Sequence, residues 1–89
     1  MNFVREQLID FFELPEEIIG DLPLLMLAGP GKLYLENHRG IAVYHREKVK
    51  IRINRGYLVI EGEKLEVEEI QQDNLQITGL IEKLLFDLV

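Results

Sequence analysis

Lys48-Val-Lys-Ile-Arg-Ile53 alternates a base with an aliphatic residue over its whole length, and this period of two decides the fold. In an extended backbone successive side chains point to opposite faces, so Val49, Ile51 and Ile53 share one face and the three bases share the other. This is a half-buried strand. The same alternation recurs on either side, in Leu33/Leu35 and Ile41/Val43 before it and in Leu58/Ile60, Leu65/Val67 and Leu75/Ile77 after it. Between these runs lie Asn37-His-Arg-Gly40, His45-Arg-Glu47, Asn54-Arg-Gly56, Glu61-Gly-Glu63 and Gln71-Gln-Asp-Asn74, residue types that favour turns. The runs start about eight residues apart, too close for the crossover helices that parallel strands need. The pattern predicts six to seven short, mostly antiparallel strands over 23–88, arranged as a meander, a curled sandwich or a solenoid-like sheet. Gly56–Gly62 and Asp73–Gly79 both read x-Leu-x-Ile-x-Gly, a weak internal repeat whose glycines are expected at turns.

The first residues follow a different period. Val4, Leu8, Phe11 and Phe12 fall on one face of an α-helix, which Pro15 should end, and Pro15-Glu-Glu-Ile-Ile-Gly20 reads as a short second helical turn. The fold class expected is therefore mainly β (α+β), one domain over 1–89 with a helical N-terminal segment at 1–20 and a β region at 23–88. Phe3, Phe11 and Phe12 are candidates for a helix interface, with burial in the core as the alternative.

Composition bounds the function. The chain has 89 residues, no cysteine, and 16 acidic against 10 basic side chains. Disulfides and thiolate metal sites are excluded, and nothing points to an oxidising compartment. So small a domain has few apolar residues to spare for lining a deep cavity, which favours binding or assembly over catalysis. The N-terminus lacks the basic start of a signal peptide. The uncharged run Leu22–Gly31 falls well short of the roughly 20 residues of a membrane span, and prolines interrupt it. A soluble chain is expected. Residues 1–22, 23–60 and 61–89 carry −5, +5 and −6, a basic middle between acidic ends that can pair within the fold or between subunits.

Three clusters deserve weighing as sites. Glu36, Asn37, His38, Arg39 and Gly40 concentrate hydrogen-bonding groups between two apolar strands. They form either a partner-contact turn or a connection in which Asn37 and Gly40 supply special backbone angles. Arg46, Lys48, Lys50, Arg52 and Arg55 form a candidate basic surface with Tyr34, Tyr44 and Tyr57 near in sequence. The overall acidity argues against nucleic acid and leaves contact with an anionic membrane surface as the functional reading. Pairing with Glu61, Glu66, Glu68 and Glu69 is the bland one. His38, His45, Glu36 and Glu47 lack the spacing of a zinc or general-base site, and the chain contains no serine. No catalytic residue, metal or cofactor is expected. Gly29-Pro30-Gly31 precedes a strand, not the helix a phosphate loop requires, and is read as a turn.

Asp21-Leu-Pro23, Gly31-Lys-Leu-Tyr-Leu-Glu-Asn-His-Arg-Gly-Ile41 and the repeated Leu-x-Ile-x-Gly strands together resemble the YabP/YqfC sporulation family, most closely its YqfC branch. The resemblance covers about residues 14–88, and its most specific element is Glu36–Gly40. It implies a small protein of endospore-forming bacteria, made during sporulation and acting in spore envelope or cortex formation. It implies a membrane protein partner, no enzymatic activity, and a place in the mother-cell cytoplasm, peripheral to the forespore membrane. Homo-oligomerisation is a separate expectation from the wide apolar sheet face. The alternative function is a peripheral membrane or ligand-binding module using 46–55.

Overall fold

The structure, a computed structural model, describes Gln7, Asp10, Phe11, Glu13 and residues 22–89. The described elements are all strands: β1 (Leu24–Ala28), β2 (Lys32–Glu36), β3 (Ile41–Tyr44), β4 (Lys48–Ile53), β5 (Gly56–Ile70) and β6 (Asn74–Leu88). The expected helical segment at 1–20, with Phe3 and Phe12, lies outside the described residues apart from a few isolated positions. Phe11 is among those and is 77% exposed.

All pairings are antiparallel, in one six-stranded open sheet of order β1-β2-β6-β5-β4-β3. This is neither a plain meander, since β2 lies beside β6, nor a solenoid. Two expected boundaries are also corrected. Glu61-Gly62-Glu63 is not a turn but part of the 15-residue β5, and the segment from Leu75 to Phe86 is one continuous strand across Gly79. Here the glycines mark irregular pairing. The β5–β6 register shifts at Glu61/Gly62 and at Glu63/Glu66, with Lys64 at φ 53°. A β-carbon on Gly62 would run into the Leu80 carbonyl, and one on Gly79 into the Lys64 carbonyl. Only glycine lets these two backbones approach so closely.

These bulges bend the sheet. A straight strand of this length would run about 50 Å at roughly 3.4 Å per residue, yet the longest extent of the molecule is 36 Å and the shortest is 22 Å. The start of β5 pairs with β4 and with the end of β6, while the end of β5 pairs only with the start of β6, which in turn pairs with β2. The long strands thus carry two half-sheets curled toward each other. Leu33 and Leu35 of β2 and Val49, Ile51 and Ile53 of β4 consequently join Leu58, Ile60, Leu65, Leu75 and Ile77 in one buried cluster, although two strands separate β2 from β4. Burying each such side chain contributes about 1.5–3 kcal/mol, and the alternating pattern supplies them from one face of every contributing strand.

Candidate functional site

The Glu36–Gly40 segment links β2 to β3, which occupies the far edge of the sheet. In a flat sheet those strands would stand about 19 Å apart, four spacings of roughly 4.8 Å, more than so short a link can span once it turns. Curling brings its ends together. Asn37 at φ 65° and Gly40 at φ 110° give the link its turns. Its backbone is held at both ends: Asn37 N–H donates to the Asp73 carbonyl at 2.6 Å, Arg39 N–H to the Arg52 carbonyl at 2.7 Å, and Arg52 N–H to the Gly40 carbonyl at 2.8 Å. The Asn37 side-chain amide donates to the Leu22 carbonyl at 2.9 Å.

His38, 8% exposed, is the buried polar residue among those described. Its Nδ1 accepts the Gly40 N–H at 3.0 Å, and its Nε2 lies 3.0 Å from the Gln71 carbonyl. An acceptor at Nδ1 and a donor at Nε2 define the neutral Nε2–H tautomer. Both nitrogens are therefore engaged with backbone. Arg39 is exposed, and Glu36 accepts the Tyr34 hydroxyl at 2.8 Å. His45 lies exposed in the β3–β4 hairpin, where its backbone pairs with that of Lys48. Among the described residues no group of three or more His, Cys, Asp or Glu is placed to hold a metal ion.

The bases occupy the opposite side of the sheet from the core. Lys48 and Arg52 are exposed and Lys50 is half-buried, with its ammonium 4.2 Å from the centre of the Tyr57 ring. Register sets Lys48 opposite Glu61, Glu61 opposite Lys83, Arg52 opposite Tyr57 and Tyr57 opposite Asp87. Charge alternates across this outer face. Glu66 and Glu69 lie instead on the other half-sheet, opposite Thr78 and Gln76, and Glu68 accepts the Thr78 hydroxyl. Arg46 and Arg55 are exposed in hairpin turns. The Arg46 and Glu47 carbonyls accept the N–H groups of Leu65 and Gly62 at 2.8 and 3.1 Å, so the β3–β4 hairpin tip clamps the bend in β5. Tyr44 adds a contact that sequence alone did not reveal: its hydroxyl accepts the Val67 N–H at 2.8 Å. An open depression of about 420 Å³ lies there, lined by Tyr44, His45, Arg46, Leu65, Glu66 and Val67.

The end of β6 is the third candidate surface. Leu85, Phe86, Leu88 and Val89 are 48%, 49%, 63% and 97% exposed. Leu84 and Phe86 face inward, opposite Ile60 and Leu58, while Lys83, Leu85 and Asp87 face outward, opposite Glu61, Val59 and Tyr57. On its other side β6 pairs with β2 only from Asn74 to Thr78, and the Ile81 N–H donates to the Pro30 carbonyl at 2.8 Å. From Glu82 onward no described strand pairs with that edge. Glycine in both long strands hides this arrangement from a sequence reading, although the absence of proline after Leu75 leaves the edge legible as unguarded.

The sequence profile of the YabP family matches residues 23–88, a span that takes in all six strands. The uncharacterized protein YqfC of Bacillus subtilis (strain 168) is similar at 26% identity over 81 residues, which cover 91% of this chain and 87% of that protein. No helix among the described residues is long and apolar enough to cross a membrane.

Proposed function

We propose, because this chain belongs to the YabP family, that it is a non-enzymatic assembly component of sporulation, acting in spore envelope or cortex formation with a membrane protein partner. The family match over all six strands carries this reading. The allocation of side chains supports it. The interior is a continuous aliphatic cluster, and the buried histidine is engaged with backbone on both ring nitrogens. Apolar side chains are displayed instead along an exposed strand, as a binding protein requires. The site of action in this reading is the mother-cell cytoplasm, against the forespore membrane. Deleting the coding sequence in its own host and counting heat-resistant spores tests the role. Loss of spores, restored by the intact gene, supports it, and an undiminished yield with normal cortex by electron microscopy refutes it. Crosslinking in sporulating cells should recover an integral membrane protein.

The second reading is contact with an anionic membrane through Lys48, Lys50 and Arg52, favoured by their shared outer face on β4. Glu61 opposite Lys48 weakens that face as a cationic surface. Lys50→Glu combined with Arg52→Glu should abolish binding to phosphatidylserine vesicles if this reading holds.

A further inference from the structure

We propose that the end of β6 is a self-docking edge, through which two copies of this chain pair antiparallel about a two-fold axis at Leu85. This inference goes beyond the sporulation role and stands on register and charge alone. An exposed strand edge offers a row of backbone donors and acceptors that a second strand can satisfy. β6 presents such an edge from Lys83, just past the bulge residue Glu82, to Leu88, unpaired on that side among the described residues.

The sequence of this edge selects both the partner and the register. Directly opposed residues in an antiparallel pair lie on the same face. Matching inward face to inward face therefore places an equivalent residue of each copy on the axis, and the central choices are Leu84, Leu85 or Phe86. With Leu84 on the axis, Lys83 meets Leu85. With Phe86 on the axis, Asp87 meets Leu85. With Leu85 on the axis, Lys83 of each copy lies opposite Asp87 of the other, so two opposite-charge pairs form on the outer face. Leu84 then meets Phe86 twice on the inner face, and Leu85 meets Leu85. Only this register joins charge to charge and apolar side chain to apolar side chain at every position from 83 to 87. It also extends the half-sheet β3-β4-β5-β6 into its symmetry mate, so that the Leu84 and Phe86 side chains cover each other. A two-fold interface of this kind is closed and limits assembly to a dimer.

The test is sedimentation equilibrium of the full chain as a concentration series, together with Lys83→Asp and Asp87→Lys, each alone and mixed in equal amounts. Each variant by itself sets like charges opposite each other twice, and its dimer should weaken by about tenfold or more. The mixture restores opposite charges at both pairs, so the heterodimer should regain the affinity of the unmodified chain. Contacts within each chain do not change on mixing, which ties any rescue to the interface. Circular dichroism shows whether the variants fold. Should either fail to fold, Leu85→Cys keeps both charges and should crosslink to a dimer under mild oxidation, whereas Leu80→Cys, which lies outside the paired segment, should not. A monomer at every concentration, a mixture no tighter than its components, or equal crosslinking at both positions would overturn the proposal.

Discussion

The imidazole of His38 lies 3.0 Å from the carbonyl of Gln71 and joins the β2–β3 link to the β5–β6 turn, 33 residues away in sequence. The same ring accepts the Gly40 N–H. His38→Phe keeps the bulk but removes both partners, leaving a backbone donor and a carbonyl under-satisfied in a buried place. A loss of about 2–3 kcal/mol in unfolding free energy is expected from denaturant titration. Nitrogen-15 NMR should find Nδ1 unprotonated and Nε2 carrying the hydrogen. The reverse tautomer would mean that these two contacts do not hold the link.

Gly62 and Gly79 should tolerate no side chain. A β-carbon at either position meets the backbone of the other long strand, and Gly79 also sits at φ 124°. Gly62→Ala and Gly79→Ala should each destabilise by about 2 kcal/mol or more, through overpacking at a site that cannot relax without moving a strand. Gly31→Ala is the control. Its nearest neighbour would be 3.9 Å away, and its midpoint of thermal unfolding should stay within a few degrees, roughly, of the unmodified chain.

These glycines also mark where the sequence stops being readable. The alternation that placed Leu33, Leu35, Val49, Ile51, Ile53, Leu58, Ile60, Leu65, Leu75 and Ile77 on apolar faces anticipates every member of the buried cluster, because a period of two is a local property of the chain. Whether a glycine within such a run reverses the chain or bends it depends on the strand lying across from it. Gly62 faces Leu80 and Gly79 faces Lys64, contacts between residues 15 or more positions apart. A turn at Glu61–Glu63 was therefore as compatible with the pattern as the bulge that forms. The strand order is hidden for a similar reason: β2 joins β6 only because the sheet curls. Of the candidate surfaces, the bases of β4 were fixed by alternation, whereas their opposition to Glu61 and Tyr57 depends on hairpin register.

Asn37 holds a left-handed backbone angle and donates its side-chain amide to Leu22. Asn37→Gly keeps the angle accessible and loses the hydrogen bond. Asn37→Ala loses both, and should be less stable than the glycine variant by about 1 kcal/mol. Equal stabilities would show that the angle at this position carries no cost.

Lys48→Glu sets a carboxylate opposite Glu61 on the exposed outer face. Stability should fall by about 0.2–1 kcal/mol at low salt, and the difference should shrink in 1 M salt, where the screening length drops to about 3 Å. A salt-independent loss would point to packing of the lysine stem instead.

Amide hydrogen exchange on the unmodified chain, at low and high protein concentration, tests the edge-pairing account most directly, because it reads where association occurs. Protection should rise with concentration across Lys83–Asp87 and stay constant at the opposite sheet edge, Ile41–Tyr44. Protection at Lys83–Asp87 that does not change with concentration, or a rise confined to Ile41–Tyr44, would contradict the account.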